Sequence, residues 1–177
     1  MAESVRVVVG VSGSLGSLAA LHYAVAEARR LDAVLVPVLA WHPVGGELAY
    51  RKHPCPPLLR IWQQTAAKRL DTAFEQCFGG YPAGMRIQPT LVRDDQPGRA
   101  LVETADQPGD LLVVGTGRRG RLTRLFHGAV SRHCVARARC AVTAVPPSDL
   151  VDALDRAVRA GEPMTLPSHW TDPAHAA

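Results

Sequence analysis

Val5-Arg6-Val7-Val8-Val9-Gly10-Val11 decides the fold, because it is β-branched and apolar almost throughout and is interrupted late by a glycine. A strand with one wet face alternates apolar and polar residues. An unbroken run instead suits a strand covered on both faces, as in a parallel sheet. The residues downstream agree. Ser12-Gly13-Ser14-Leu15-Gly16-Ser17 reads as a loop, and Leu18, Leu21, Val25, Ala28 and Leu31 then recur at helical spacing, with Ser14 or Ser17 as N-cap.

The alternation continues along the chain. Residues 33–41 form a second apolar run containing Pro37, which conflicts locally with a strand because proline lacks a ladder donor and prefers an edge or a bulge. Residues 42–57 are rich in Pro and Gly and read as a long loop. Helical spacing from Leu58 through Cys77 ends at Gly79-Gly80. A third strand is expected over 85–93, with Pro89 pointing to an edge, and Pro97 opens a short helix through Ala105. Asp110-Leu111-Leu112-Val113-Val114-Gly115 is the fourth and most apolar strand, 129–138 a helix, and 140–145 a fifth strand. One more helix is expected over 148–161, followed by a Pro-rich tail, 162–177, without periodicity and expected to be flexible.

Strands alternating with helices predict an α/β fold, a parallel sheet with helices on both faces reached by right-handed crossovers. The length of 177 residues and the 47% hydrophobic content suffice for one core and hardly for two. No apolar run approaches the ~20 residues of a membrane span. The start of the sequence lacks the basic region and cleavage site of a secretory leader, so a cytoplasmic location without membrane contact is expected. Four cysteines without CxxC spacing then read as reduced thiols that lie on apolar faces. The net charge of +4 is local to the arginines between 118 and 139, and 5% aromatic residues are too few for a stacking platform, which makes nucleic acid an unfavoured partner.

Open sheets of this kind bind ligands beyond the carboxyl ends of strands, where strand order reverses. The first and fourth runs, the most apolar, belong at the centre as neighbours, and each meets a glycine (Gly10, Gly115) before a Gly/Ser/Thr/Arg loop. The crevice between loops 10–16 and 115–131 is the candidate site. A phosphate there needs free backbone N–H groups, close backbone approach and positive potential. Gly115, Gly117, Gly120 and Gly128 permit approach, Ala129 and Val130 offer helix-start N–H groups, and Thr116 and Ser131 offer hydroxyls. Arg118 and its neighbours supply charge. Neither GxGxxG nor a Walker loop occurs.

The segment Gly115-Thr-Gly-Arg-Arg-Gly-Arg-Leu-Thr-Arg-Leu-Phe-His-Gly128-Ala-Val-Ser131, followed by Cys140-Ala-Val-Thr-Ala-Val-Pro146, resembles the C-terminal signature of the universal stress protein family. Val8-Val9-Gly10-Val11-Ser12-Gly13-Ser14 is similar to that family's first strand and loop. The resemblance implies a universal stress protein domain over 1–147 with a Rossmann-like, open five-stranded sheet in the order 3-2-1-4-5. It also implies a homodimer through antiparallel pairing of the strand at 140–145, which would cover that edge. In the ATP-binding branch, glycines follow G-x-x-G, nine residues, then G-[ST]. Gly115 and Gly128 match, whereas Arg118 stands at the middle glycine, Ala129 at the hydroxyl position and Ser12 at a common acidic position. Were Arg118 to need positive φ, its Cβ would cost roughly 1 kcal/mol. Gly10, Val11 and Ser12 would line the first loop, and Ala40 the base pocket bordered by Trp41-His42-Pro43.

The ligand so implied is ATP or another adenine nucleotide, with Mg2+ as an accompanying ion, and the function is ligand sensing or regulation through a protein partner. Two alternatives stand beside it: a family member that has lost nucleotide binding and acts by dimerisation, and a basic-loop polyanion or nucleic-acid binder. An ATP-pyrophosphatase is disfavoured because Gly16 replaces the aspartate of its SGGxDS loop. The histidines lack metal-ligand spacing and no general base can be assigned, so the chain reads as a non-enzyme, with slow ATP hydrolysis left open.

Overall fold

The computed structural model describes residues 5–116 and 128–147. The predicted helix at 148–161, the tail at 162–177, and the site residues Gly117 and Arg118 lie outside the described residues. Five strands, β1 (Arg6–Gly10), β2 (Val34–Trp41), β3 (Thr90–Arg93), β4 (Leu111–Gly115) and β5 (Ala141–Val145), form one sheet in the order β3-β2-β1-β4-β5. Every pairing in it is parallel. The helices are α1 (Leu15–Arg30), α2 (Gly46–Lys52), α3 (Pro56–Phe78), α4 (Pro97–Thr104) and α5 (Gly128–Arg137).

The unbroken valine run has the cause expected of it. Val7, Val8 and Val9 of β1 are each 0% exposed. Val7 and Val9 join Leu21, Ala24 and Phe74 from α1 and α3, whereas Val8 packs on the other face with Leu101 of α4 and Cys134 of α5. Because alternate side chains point to opposite faces, a strand between two helical layers must be apolar at every position. Caps confirm several boundaries. Ser14 is the α1 N-cap, its Oγ accepting from the Ser17 N–H at 3.3 Å, and Gly79 ends α3 at φ 69°.

Pro37 lies in β2, an interior strand, so neither an edge nor a bulge explains it. Backbone orientation does. Leu35 exchanges hydrogen bonds with the β3 side (Leu35 N–H to Arg86 O, 2.9 Å; Gln88 N–H to Leu35 O, 2.8 Å), whereas the Val38 carbonyl accepts from Val11 on the β1 side. By alternation Pro37 faces β3, in the gap between the isolated Leu35–Ile87 bridge and the pairing that resumes at Val38–Thr90. The Gln88 carbonyl, which the missing Pro37 donor would otherwise serve, accepts from the Thr90 hydroxyl at 3.2 Å, and Pro89 by the same alternation turns its own missing donor away from β2. The third strand is accordingly shorter than 85–93.

The 42–57 stretch is not all loop. α2 occupies seven residues of it, entered through Gly45 and Gly46 at φ 86° and 85°. Its prolines flank the helix rather than interrupt it, and Glu47 and Arg51 form an i,i+4 pair at 3.5 Å.

One charged residue interrupts the β1 run for a reason. The Arg6 guanidinium meets both oxygens of Asp110, with Nε to Oδ1 at 2.9 Å, and also reaches Asp106 at 2.8 Å and the Thr104 carbonyl at 3.2 Å. The hydrogen bond to Asp110 holds the Arg6 pKa well above its ordinary value. The Asp110 carboxylate is 1% exposed and also accepts the Gln107 N–H at 3.1 Å, pinning the entries of β1 and β4 together. Asp110→Ala removes the buried carboxylate, leaves Arg6 with only Asp106 and the Thr104 carbonyl, and takes away the acceptor of the Gln107 N–H. We expect it to lower unfolding free energy by about 2–4 kcal/mol, measured as a reduced urea midpoint at unchanged slope.

Candidate functional site

The residues singled out from sequence converge on one edge of the sheet. Gly10 ends β1, Val11 and Ser12 follow it, Ala40 is the penultimate residue of β2, Gly115 ends β4 with Thr116 after it, and Gly128, Ala129, Val130 and Ser131 open α5. β1 and β4 are adjacent. After β3 the chain returns to the other side of β1, so this adjacency is the topological switch point.

Local chemistry shapes the first loop. The Ser12 N–H donates to Ser17 Oγ (3.2 Å), which itself donates to the Ser14 carbonyl (2.8 Å). The Ser12 and Ser14 hydroxyls pair at 3.0 Å, and Arg69 of α3 reaches over to donate to the Ser12 carbonyl at 3.0 Å. Ser12 is exposed and Val11 buried. In place of a carboxylate, then, this bend presents hydroxyls and a guanidinium.

The two bends are in direct contact. A Cβ on Gly115 would stand 2.3 Å from the Gly16 carbonyl oxygen, and one on Gly16 would stand 2.9 Å from that of Thr116. The space that glycine leaves at 115 is therefore taken up by the start of α1, so the two bends leave no room between them at this point. Gly10 likewise makes room for Leu101, whose Cδ1 would stand 2.9 Å from an added Cβ. The Thr116 hydroxyl, expected as a phosphate donor, points to β5 and donates to the Val145 carbonyl at 3.3 Å, beside the Thr116 N–H at 2.7 Å. Ala129 is exposed at the opening of α5, Val130 is half-buried, and Ser131 is 7% exposed. The parts that remain for an anion are the N–H groups at the α5 start and the positive end of its dipole.

The cysteines divide by position. Cys134 is buried on the inner face of α5, and burial pushes its thiol up to about 11. Cys55 is exposed before α3, contrary to the expectation that every cysteine lies on an apolar face. Among the described residues no group of three His, Cys, Asp or Glu could hold a metal ion.

A second feature of this edge escaped the sequence reading. Beyond the ends of β2 and β3 lies a cleft of about 520 Å³ between α2 and the start of α4, lined by Glu47, Arg51, Arg93, Asp94, Asp95 and Arg99, among others. Its residues come from two stretches far apart in sequence, 42–51 and 93–99, and no local pattern joins them.

The topology defines an open, doubly wound α/β domain whose loops 10–16 and 115 onward leave the sheet at the β1/β4 switch point. The model of the universal stress protein family matches residues 4–146, and the chain belongs to that family. Universal stress protein Rv2005c of Mycobacterium tuberculosis is 30% identical over 151 residues, covering 82% of this chain. This chain spans about half (49%) of the length of that relative. A crystal structure of a universal stress protein in complex with cAMP is 29% identical, with a TM-score of 0.52 over 82% of this chain and 98% of that one. UspA from Lactobacillus plantarum shares the fold at 21% identity and a TM-score of 0.57, over 82% of this chain and 99% of that one.

Two outcomes follow from the packing. Gly115→Ala forces α1 off the end of β4 and is expected to cost about 2–3 kcal/mol in chemical denaturation. In iodoacetamide labelling at pH 8 followed by peptide mass spectrometry, Cys55 is modified promptly, whereas Cys134 stays protected until denaturant opens the α5 face.

Proposed function

We propose that this chain is a cytoplasmic, non-enzymatic regulatory module that binds an adenine nucleotide over the loops 10–16 and 115–131. The observation that carries the reading is the meeting of the Gly10 and Gly115 bends at the switch point, beside the opening of α5. The complex of a relative with cAMP supports an adenine nucleotide as the ligand class. The base would lie toward Ala40 and the phosphate toward Gly128, Ala129, Val130 and Ser131, with Gly117 and Arg118 in the intervening loop. No carboxylate follows β1, so Mg2+ would arrive on the nucleotide's own phosphates rather than on a protein ligand. Burial of the base and a few backbone hydrogen bonds would carry the affinity, which we expect to be weaker for ATP than in relatives that keep the acidic residue and the hydroxyl that Ser12 and Ala129 replace here.

Calorimetric titration of nucleotide-stripped protein with ATP, AMP and cAMP tests this reading. Saturable heat with at least one of them is expected, and Gly128→Val should abolish it while leaving the circular dichroism spectrum unchanged. No heat and no thermal shift at millimolar concentrations of all three would overturn it.

A second reading, regulation by dimerisation and a partner protein without nucleotide, is favoured by the spent Thr116 hydroxyl. Both readings use a homodimer through the strand at 140–145. β5 is an edge strand, and Thr143 shares the orientation of Val145, whose carbonyl accepts from β4. The outward-facing N–H groups are therefore those of Val142 and Ala144. Ala144→Pro removes one of these and leaves the β4 ladder intact. Sedimentation velocity should then report monomer where the parent is dimer, and an unchanged profile would move the interface elsewhere.

A further inference from the structure

The cleft beyond β2 and β3 brings together three guanidinium groups whose partners are unequal. Arg99 holds Asp94 through two hydrogen bonds, 2.8 and 2.7 Å, and Asp94 is 7% exposed and fixed as well by the Gln96 N–H at 2.7 Å. Those bonds from Arg99 hold the Asp94 carboxyl below the usual carboxylate range, and the unit forms the rigid entry to α4. Arg93 and Arg51 stand differently. They share one carboxylate, that of Glu47, which takes Arg93 side-on at 3.1 and 3.0 Å and Arg51 at 3.5 Å. The wall formed by α2 and the end of β3 therefore sets two guanidinium groups against one carboxylate, while across the cleft Arg99 serves both Asp94 and Asp95, so the lining as a whole is charge-balanced.

Glu47 is also the less firmly held partner. It stands on α2, a helix with no buried residue, whose Leu48 is 77% exposed and whose entry passes through two glycines at positive φ. Besides the ion pair, contacts through Tyr50 tether it: the Arg93 guanidinium lies 4.8 Å from the Tyr50 ring centroid, and that ring meets Trp62 edge-on at 6.3 Å. An exposed ion pair is inexpensive to exchange for another of the same geometry. The cleft volume of about 520 Å³ falls in the range of small-ligand sites.

We propose that this cleft binds a small organic carboxylate, which replaces Glu47 on the Arg93 fork, draws in Arg51, and releases α2 from the body of the domain. The class follows from what is replaced: the Nε and Nη2 atoms of Arg93 already hold a carboxylate side-on. Asp95 on the opposite rim is 57% exposed and already paired with Arg99 at 3.7 Å, so it is screened by solvent and by a guanidinium from an anionic occupant. Ligand identity is thereby transmitted to the position of α2, an external helix available to a partner protein. The site is separate from the nucleotide reading and does not depend on it.

The test uses the full chain carrying Trp170→Phe, so that Trp62 and the core residue Trp41 report. Succinate is titrated at constant ionic strength, with inorganic phosphate and chloride as comparison anions. A saturable change in tryptophan emission is expected with succinate and a much weaker one with phosphate. Arg93→Ala should weaken the response roughly tenfold or more, and Arg93→Lys should restore only part of it. Glu47→Gln should bind succinate roughly two- to fivefold more tightly, because the internal competitor is gone. That gain is the distinguishing result, since a purely structural ion pair predicts no gain, and it stands even if the Arg93 variants fail to fold. Gly128→Val, which removes nucleotide binding, should leave the succinate response intact. A response that does not saturate, that phosphate matches, that Glu47→Gln weakens, or that Gly128→Val removes would overturn the proposal.

Discussion

Burial of β1 on both faces is the constraint from which the other features follow. Val7, Val8 and Val9 lose all contact with water, and full burial of an apolar side chain contributes on the order of 1.5–3 kcal/mol. That gain requires helices on each side and a strand on each edge. Parallel neighbours in turn require crossovers, which carry α1 to one face and return the chain through α4 and α5 on the other. Once β2 and β4 flank β1, the carboxyl ends of three strands share one edge, and the loops that leave them have nowhere else to go. The gathering of these loops on one edge is thus a consequence of where the valines must be buried.

How much of this was legible depends on whether the determining residues are neighbours in sequence. The β1 run, the Ser14 cap, the Gly79 stop and the Pro97 start are local signals, and each marked its element. The strand order was legible only through the family resemblance together with the relative apolarity of the β1 and β4 runs. Pro37 misled because its tolerance is set by a partner strand: the Gln88 carbonyl opposite the missing N–H of 37 is served by the Thr90 hydroxyl. α2 was hidden by the prolines around it, which dominate the composition of 42–57 while leaving the seven helical residues free of proline. Arg6 looked like an interruption of a strand and is instead its anchor, a role that exists only once Asp110 is brought to it from 104 positions away.

The site was legible in its backbone and less so in its side chains. Gly10 and Gly115 do mark the ends of neighbouring strands. Their smallness, however, is used by the protein itself: Leu101 fills the space at Gly10, and the turn into α1 closes on Gly115. A glycine read as room for a ligand is, before folding is known, equally room for another part of the chain. The hydroxyl of Thr116 teaches the same lesson, because the last carbonyl of β5 lies within its reach and sequence spacing gives no sign of that.

The two halves of the carboxyl edge therefore present different chemistry. Over β1 and β4 the side chains are small and the backbone is what the edge offers, which under the nucleotide proposal would suit a ligand held by its phosphate and base outline. Over β2 and β3 the exposed groups are long side chains, and one of them, Glu47, stands on a helix with no buried residue. Backbone sites are fixed by the sheet and change little on binding, whereas a side-chain latch on an outlying helix changes its partner readily. If both proposals hold, a domain of this size keeps a rigid site and a yielding one along the same edge, with β1 and β2 as the common support.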